Sequence, residues 1–401
     1  WWYKPFKKIT IKDSKVARKN YLDALDSTIK RLVPKDKPAA IMFSGGSDST
    51  LLLDRMVKLG YNKIDLFTIC VNGETLQLNY ANEKARMFNM EVIPIFADRK
   101  NIFEGWKKLF KLCYHYLSDL RIDGIFSPSV QVIEQIKKYY KGNSSSLVWG
   151  SQYALASPVV STKAILFKFY VIFILIKFTR YFKFLKKRTY EFALNHMRSA
   201  MLQNDLMSRE SLLAFEDLYL TSFDEINSPD ELINLFLSTD YNHLKHWWMD
   251  WRNKVTSNFY KNSINIFPFH DREFQESTMP YSLKVRIGGT RNIFNMPNSY
   301  KNLFFSLFDK RIPISSIKSG NYAALPEYFS LFKTEYFYNF LNEELNKPQN
   351  LKLVKFLVDE LNITIPNSYN ELLKLDTKKV EKLTGIIFLA IRLNEDGVLF
   401  E

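Results

Sequence analysis

Cysteine is nearly absent from this chain: Cys70 and Cys113 are the two present in 401 residues. Each stands alone, which excludes a disulfide framework and any Cys-x-x-Cys site. Histidine is scarce as well, at five. His243 and His246 sit three apart on an expected helix, but the sequence near them supplies no third ligand, so a surface or capping role is expected. From residue 190 onward there is no internal repeat. The first residue is Trp1 and no signal peptide is recognisable; an initiator Met, and any domain preceding it, are expected to lie outside this sequence.

Basic residues are plentiful, with a formal net charge of +14 and a pI near 9.4. They are scattered, and Lys183 to Arg188 is the one dense block. Such a surplus fits a solvated surface or an anionic substrate as well as it fits RNA, and nucleic acid is not the expected partner. A hydrophobic content of 46% with 33 Phe and 22 Tyr supports a large core and excludes compositional disorder. The length suits two domains, or one α/β domain with a helical extension.

The most informative stretch is Ala39-Ala40-Ile41-Met42-Phe43-Ser44-Gly45-Gly46-Ser47-Asp48-Ser49-Thr50. Residues 39 to 43 are all apolar and read as a short buried strand. Ser44-Gly45-Gly46 breaks the pattern, and Ser49-Thr50-Leu51-Leu52-Leu53 opens a helix. A strand, a glycine turn and a helix N-terminus together make an anion site, because unpaired amides and the helix dipole point into the turn. The adjacent glycines let backbone approach a phosphate. Ser44, Ser49 and Thr50 add hydroxyls, and Asp48 offers a carboxylate that a metal ion can bridge to phosphate. A plain serine-rich turn with a helix cap is the bland alternative. It is not a Walker A loop, since no Lys follows the second Gly.

Organisation along the chain supports the nucleotide reading. Tyr21 to Leu32 has helical spacing and Pro34 ends it. Gly60 closes the helix after the glycine turn, Asp65 to Val71 reads as a strand, 76–89 as a helix, and Glu91 to Phe96 as a third strand. Helices at 101–119 and 128–140 lead to a fourth strand, Ser146 to Gly150. Alternating strands and helices predict a doubly wound, mostly parallel α/β sheet with its ligand at the carboxyl ends of the strands. The expected divisions are a lead-in with a helix at 1–36, a nucleotide-binding domain at 37–160 and a mainly helical region at 161–401. Ala164 to Phe178 is almost continuously apolar. As a helix it would be about 22 Å long, short of the ~30 Å hydrocarbon core, and it carries Lys168. A buried or partner-docking helix is the plain reading. The alternative is a segment lying in a membrane surface, with Lys177, Lys183, Lys186, Lys187 and Arg188 meeting anionic lipid.

In its strand–turn–helix context, Ser-Gly-Gly-x-Asp-Ser resembles the signature of the PP-loop ATP pyrophosphatases, which cleave ATP between the α and β phosphates and form adenylated intermediates. Sulfur transfer, which some of them perform through paired cysteines, is disfavoured here. Two later stretches narrow the resemblance: Asn265-Ile266-Phe267-Pro268-Phe269-His270-Asp271, then Tyr300-Lys301-Asn302-Leu303-Phe304-Phe305 followed by Arg311-Ile312-Pro313 and Lys318-Ser319-Gly320. In this order they look like the synthetase half of the asparagine synthetase family, which also holds β-lactam synthetases and lasso-peptide cyclases. The match spans roughly residues 37 to 325. His270 stands where the family has Leu in Pro-Phe-Leu-Asp, and the Arg that commonly follows its Lys-Leu-Leu pattern is absent.

The resemblance implies ATP-dependent adenylation of a carboxylate, with pyrophosphate released and the acyl group passed to ammonia or another amine. ATP and Mg²⁺ are the implied cofactors. Ser44, Gly45, Gly46, Ser47, Asp48, Ser49 and Thr50 would hold the pyrophosphate, with Asp48 at the metal. Lys301 matches the catalytic lysine, and adenine and ribose would lie near Phe67, Thr68, Ile69, Trp149 and Gly150. Two departures stand out. Gly150-Ser151-Gln152-Tyr153-Ala154-Leu155 replaces the family's acidic Gly-(Asp/Glu)-Gly-x-Asp-Glu run. The glutaminase half is also missing, so nitrogen is expected from a separate glutaminase subunit, from solution, or from an amine acceptor. The expected substrates are a small-molecule or peptide carboxylate and an amine, and the expected location is cytoplasmic, with membrane or partner contact through 164–188 as the variant. The competing readings are a tRNA-modifying PP-loop enzyme of the lysidine-synthetase kind and a degenerate, non-catalytic synthetase-like partner protein.

Overall fold

Runs of apolar residues that the sequence bounds with turns become five short strands, all paired in parallel. The computed structural model describes residues 10–71, 76–98, 104–105, 129–150, 163–179, 182, 185, 188–193, 223–233, 235, 250–278, 280–282, 285, 306–308, 333–360, 364–376, 379–380, 383–387 and 390–391. Strands β1 (Ala39–Met42), β2 (Ile64–Val71), β3 (Val92–Ala97), β4 (Ser146–Trp149) and β5 (Ile264–Ile266) lie in the order β3-β2-β1-β4-β5. Ile41 sits between Leu66 and Val148, and Met42 between Phe67 and Trp149.

Both faces of the sheet are covered, which is why its central strands are apolar without alternation. On one face Ile41, Phe43, Leu66 and Val148 pack with α1 (Ser14–Leu32), α2 (Ser47–Lys58), α3 (Leu76–Arg86) and α7 (Arg272–Thr278). On the other, Ala40, Phe67, Leu147 and Trp149 pack with α4 (Ser129–Tyr139) and with α8 (Glu335–Leu345), α9 (Pro348–Glu360) and α10 (Tyr369–Lys374). Helix α6 (Asp250–Phe259) rests on α4 and β5. The Arg55 side chain clamps α2 to α1 by donating to both carboxylate oxygens of Asp26, with Nε 2.7 Å from Oδ1.

The chain runs β1-α2-β2-α3-β3 in one direction and then returns through α4 to place β4 on the opposite side of β1. That reversal puts a topological switch point between β1 and β4, where open α/β sheets hold their ligands.

One feature differs from expectation. Strand β5 comes from beyond residue 160, so the sheet draws on the region read as helical. Three residues, Ile264 to Ile266, carry too short a pattern to be seen without their neighbour β4. The apolar helix forms as α5 (Lys163–Thr179), yet it is buried on one side only: Phe169, Ile172, Ile176 and Thr179 are covered, while Ile174 and Phe178 are exposed. Among the described residues no helix is long and apolar enough to cross a membrane. Of the expected helix at 101–119, only Glu104 and Gly105 are described, and both are helical.

Candidate nucleotide site at the end of the first strand

Gly45 and Gly46 do different work in the turn after β1. Gly45 has φ +71°, a left-handed conformation in which glycine avoids the steric cost of a side chain. A Cβ there would also meet the Tyr80 ring at 3.0 Å and the Ala81 Cα at 3.1 Å, so α3 closes against the loop. Gly46 is the N-cap of α2 at φ −68° and ψ 165°, and no side chain caps this helix. The N-cap therefore offers the first-turn amides of α2 no side-chain acceptor, and those amides sit at the positive end of the helix dipole.

The hydroxyls hold the loop in shape. Thr50 is fully buried, and its Oγ1 donates to the Gly45 carbonyl at 3.2 Å. Ser49 Oγ donates to the Gly46 carbonyl at 3.2 Å, and the Gly46 amide donates to Ser44 Oγ at 3.2 Å. Ser44 is exposed at the tip. Ser47 Oγ lies 3.4 Å from Asp48 Oδ1, and Asp48 is half-buried in the first turn of α2. The expected hydroxyl donors Ser49 and Thr50 therefore brace the turn.

Gly150, just past β4, forms the facing wall. A Cβ on it would lie 2.9 Å from the Ser49 backbone nitrogen. The ends of β1 and β4 thus meet at the start of α2, on the switch point.

Two expected adenine contacts turn out to be core. Phe67 is 1% exposed, and its ring meets Tyr139 edge-on at 5.3 Å and Tyr140 at 6.2 Å. Withdrawing it to stack on a base would forfeit about 1.5–3 kcal/mol of burial, more than the about 0.5–1.5 kcal/mol of an aromatic pair. The Tyr140 hydroxyl donates to Asp65 at 2.7 Å, and burial together with that carboxylate pushes its phenol far above the ordinary range. Trp149 stacks on Phe267 at 6.3 Å, and its Nε1 donates to Asn265 Oδ1 at 2.8 Å. Ile69 is half-buried on the face of Phe67, and Thr68 on the opposite face accepts from Gln77 at 3.5 Å.

Asp271, from the Pro-Phe-His-Asp stretch, receives Arg31 at 2.6 Å and caps α7 by accepting from the Phe274 amide at 3.1 Å. Its place there is structural. Lys301, the 151–155 run, His243, His246 and Cys113 lie outside the described residues. The contribution of Tyr80 and Ala81 was missed, because a helix and a loop thirty-five residues apart carry no shared sequence signal.

The donor set fits a phosphate chain: backbone amides at a helix start with no side-chain cap, a helix dipole and a left-handed glycine. It also fits Mg²⁺, which keeps waters and takes one or two carboxylates plus phosphate oxygens. Asp48 supplies a carboxylate at the loop. Among the described residues no group of three or more His, Cys, Asp or Glu could hold a metal ion by itself.

No curated protein matches the chain. Among solved structures, the U34-tRNA thiolase NcsA from Methanococcus maripaludis, described with its 4Fe-4S cluster, is similar at 10% identity. That match covers 61% of this chain and 80% of the thiolase at a TM-score of 0.25, so the fold assignment stands on this chain's own parallel topology. The family model for asparagine synthase matches residues 20–140, which hold α1, the glycine turn and the first three strands. The glycine turn and its switch point thus lie inside the segment, residues 20–140, that matches the asparagine synthase model.

Proposed function

We propose that the protein is an ATP-dependent amide-forming ligase that adenylates a carboxylate and passes the acyl group to ammonia or an amine. The observation that carries this reading is the uncapped first turn of α2 at the switch point, inside the segment that matches asparagine synthase. A carboxylate oxygen attacks the α-phosphorus, the bond to the bridging oxygen breaks, and pyrophosphate leaves with the electron pair. The amides at the start of α2 stabilise that leaving charge because they already point at it and need no reorganisation. Asp48 would hold Mg²⁺ together with the phosphate oxygens, and the ion would supply charge neutralisation. Lys301, by its match to the family's lysine, would offset charge at phosphorus or at the acyl oxyanion. Gly150 and α3 hold the loop between them.

Carboxylate-dependent ATP–pyrophosphate exchange tests the proposal. The wild type should exchange with at least one member of a broad acid panel, and Asp48→Asn should lose about 100-fold or more of that rate. No exchange across the panel overturns it.

The charge of +14 favours tRNA modification as a second reading. It predicts a tRNA mobility shift with a steep salt dependence. An iron–sulfur site like that named for the archaeal thiolase does not transfer, since such clusters are held by as many as four Cys thiolates and this chain has two.

A further inference from the structure

Lys84, on α3, is 0% exposed. Lysine is rarely buried to this degree, because its ammonium loses water and needs compensation inside the protein. Its neighbours Ala81 and Ala85 are also fully buried, in the cluster that holds Ile41, Leu66 and Val92. An apolar side chain would serve that core with no charge to compensate. The acidic partner explains little. Lys84 Nζ donates to Glu83 Oε1 at 2.7 Å, but Glu83 is 61% exposed, and adjacent positions do not face one another on a helix. Water screens such a pair, so it does not offset the burial of the cation.

The other group on the ammonium is aromatic. Lys84 Nζ lies 4.8 Å from the centre of the Tyr80 ring. Tyr80 comes one turn earlier on α3, at the i,i+4 spacing that sets two side chains on one face. That same ring lies against the glycine turn, where a Cβ on Gly45 would meet its Cδ1 at 3.0 Å and its Cε1 at 3.1 Å. Lys84, Tyr80 and Gly45 thus form a row of cation, ring and turn. A cation over an aromatic face is worth more out of water than on a surface, and it fixes where the ring sits. Tyr80 is half-buried, so packing alone leaves part of its ring open to solvent. We propose that Lys84 is a positioning residue that pins the Tyr80 ring on Gly45 and so holds the turn in the shape that receives phosphate, a role that rests on reading this turn as the nucleotide loop.

Lys84→Met keeps the length of the side chain and removes its charge. Amide hydrogen exchange of the full chain without ligand, read on peptides covering residues 43–50, should quicken about tenfold. The melting temperature should stay level or rise, because no cation is left to bury. ATP affinity by calorimetry should fall about tenfold. Tyr80→Leu should give the same two losses, and the double variant should be no worse than either single one, since both remove one contact. A lysine that only fills the core would shift the melting temperature and leave the turn alone. Three results overturn the proposal: hydrogen exchange of the turn as in the wild type, hydrogen exchange raised across the whole sheet together with the turn, or a quicker turn with ATP affinity unchanged. Should the wild type bind no ATP, the proposed activity fails by itself, while hydrogen exchange still reads the hold of Lys84 on the turn.

Discussion

The first turns of α1 and α2 are built on opposite plans. At α1 the Asp13 carboxylate accepts from the Lys15 and Val16 amides at 2.8 and 2.9 Å. The same plan recurs at α8, where Thr334 accepts from the Phe337 amide, and at α10, where Ser368 accepts from the Glu371 amide. At α2 the cap is Gly46, and no side chain accepts. A capping side chain is worth about a few tenths of a kcal/mol over Gly at this position, so α2 forgoes little stability by lacking one. What distinguishes it is position: α2 alone of these four follows β1 into the switch point.

Giving α2 the plan of α1 breaks the comparison most sharply. Gly46→Asp places a carboxylate where the phosphates would sit, satisfying the amides and repelling the nucleotide. ATP affinity by calorimetry should fall about 100-fold or more, while the melting temperature stays level or rises. A variant that still binds ATP normally removes the loop from the site.

The facing wall comes next. Gly150→Ala drives a Cβ to 2.9 Å from the Ser49 nitrogen. Urea denaturation should show a loss of about 1–3 kcal/mol, accompanied by weaker ATP binding. Lost stability with intact ATP binding would separate β4 from the nucleotide.

Thr50→Val tests the brace from within. It removes the donor to the buried Gly45 carbonyl, and about 1–2 kcal/mol of stability should go with it. Because the phosphate donors are amides, ATP affinity should fall less than in Gly46→Asp.

Asp13→Ala is the control at the other helix. It should cost about 1 kcal/mol in the same denaturation experiment and leave ATP affinity unchanged. An effect on ATP binding would mean that the two helix starts are not independent.

Much of the fold was legible because its signals are local. The part of α1 from Tyr21 onward, α2, α3 and the first four strands follow from apolar period, from Pro34 and Gly60 as stops, and from the glycine turn, whereas the first turns of α1 from Ser14 carry no such pattern. Strand β5 was not, since Ile264–Ile266 becomes a strand through hydrogen bonds to β4, more than a hundred residues earlier. Around the glycine turn, the strand–turn–helix geometry was legible and the burial of the aromatic rings was not. Phe67 and Trp149 lie beside the loop in sequence logic, but the packing of Tyr139, Tyr140 and Phe267 withdraws both rings into the core.

By itself the amino-acid sequence determined the glycine turn and the helix start after it, since glycines, small hydroxyls and an apolar helical run are properties of a dozen consecutive residues. It likewise determined the parallel α/β class, which rests on the spacing of short apolar runs. Only the tertiary structure decided which hydroxyls brace the loop, which aromatic rings are core, and that α5 keeps one apolar side exposed. Those outcomes depend on which surfaces meet across long separations in the chain, and local pattern carries no record of the partner.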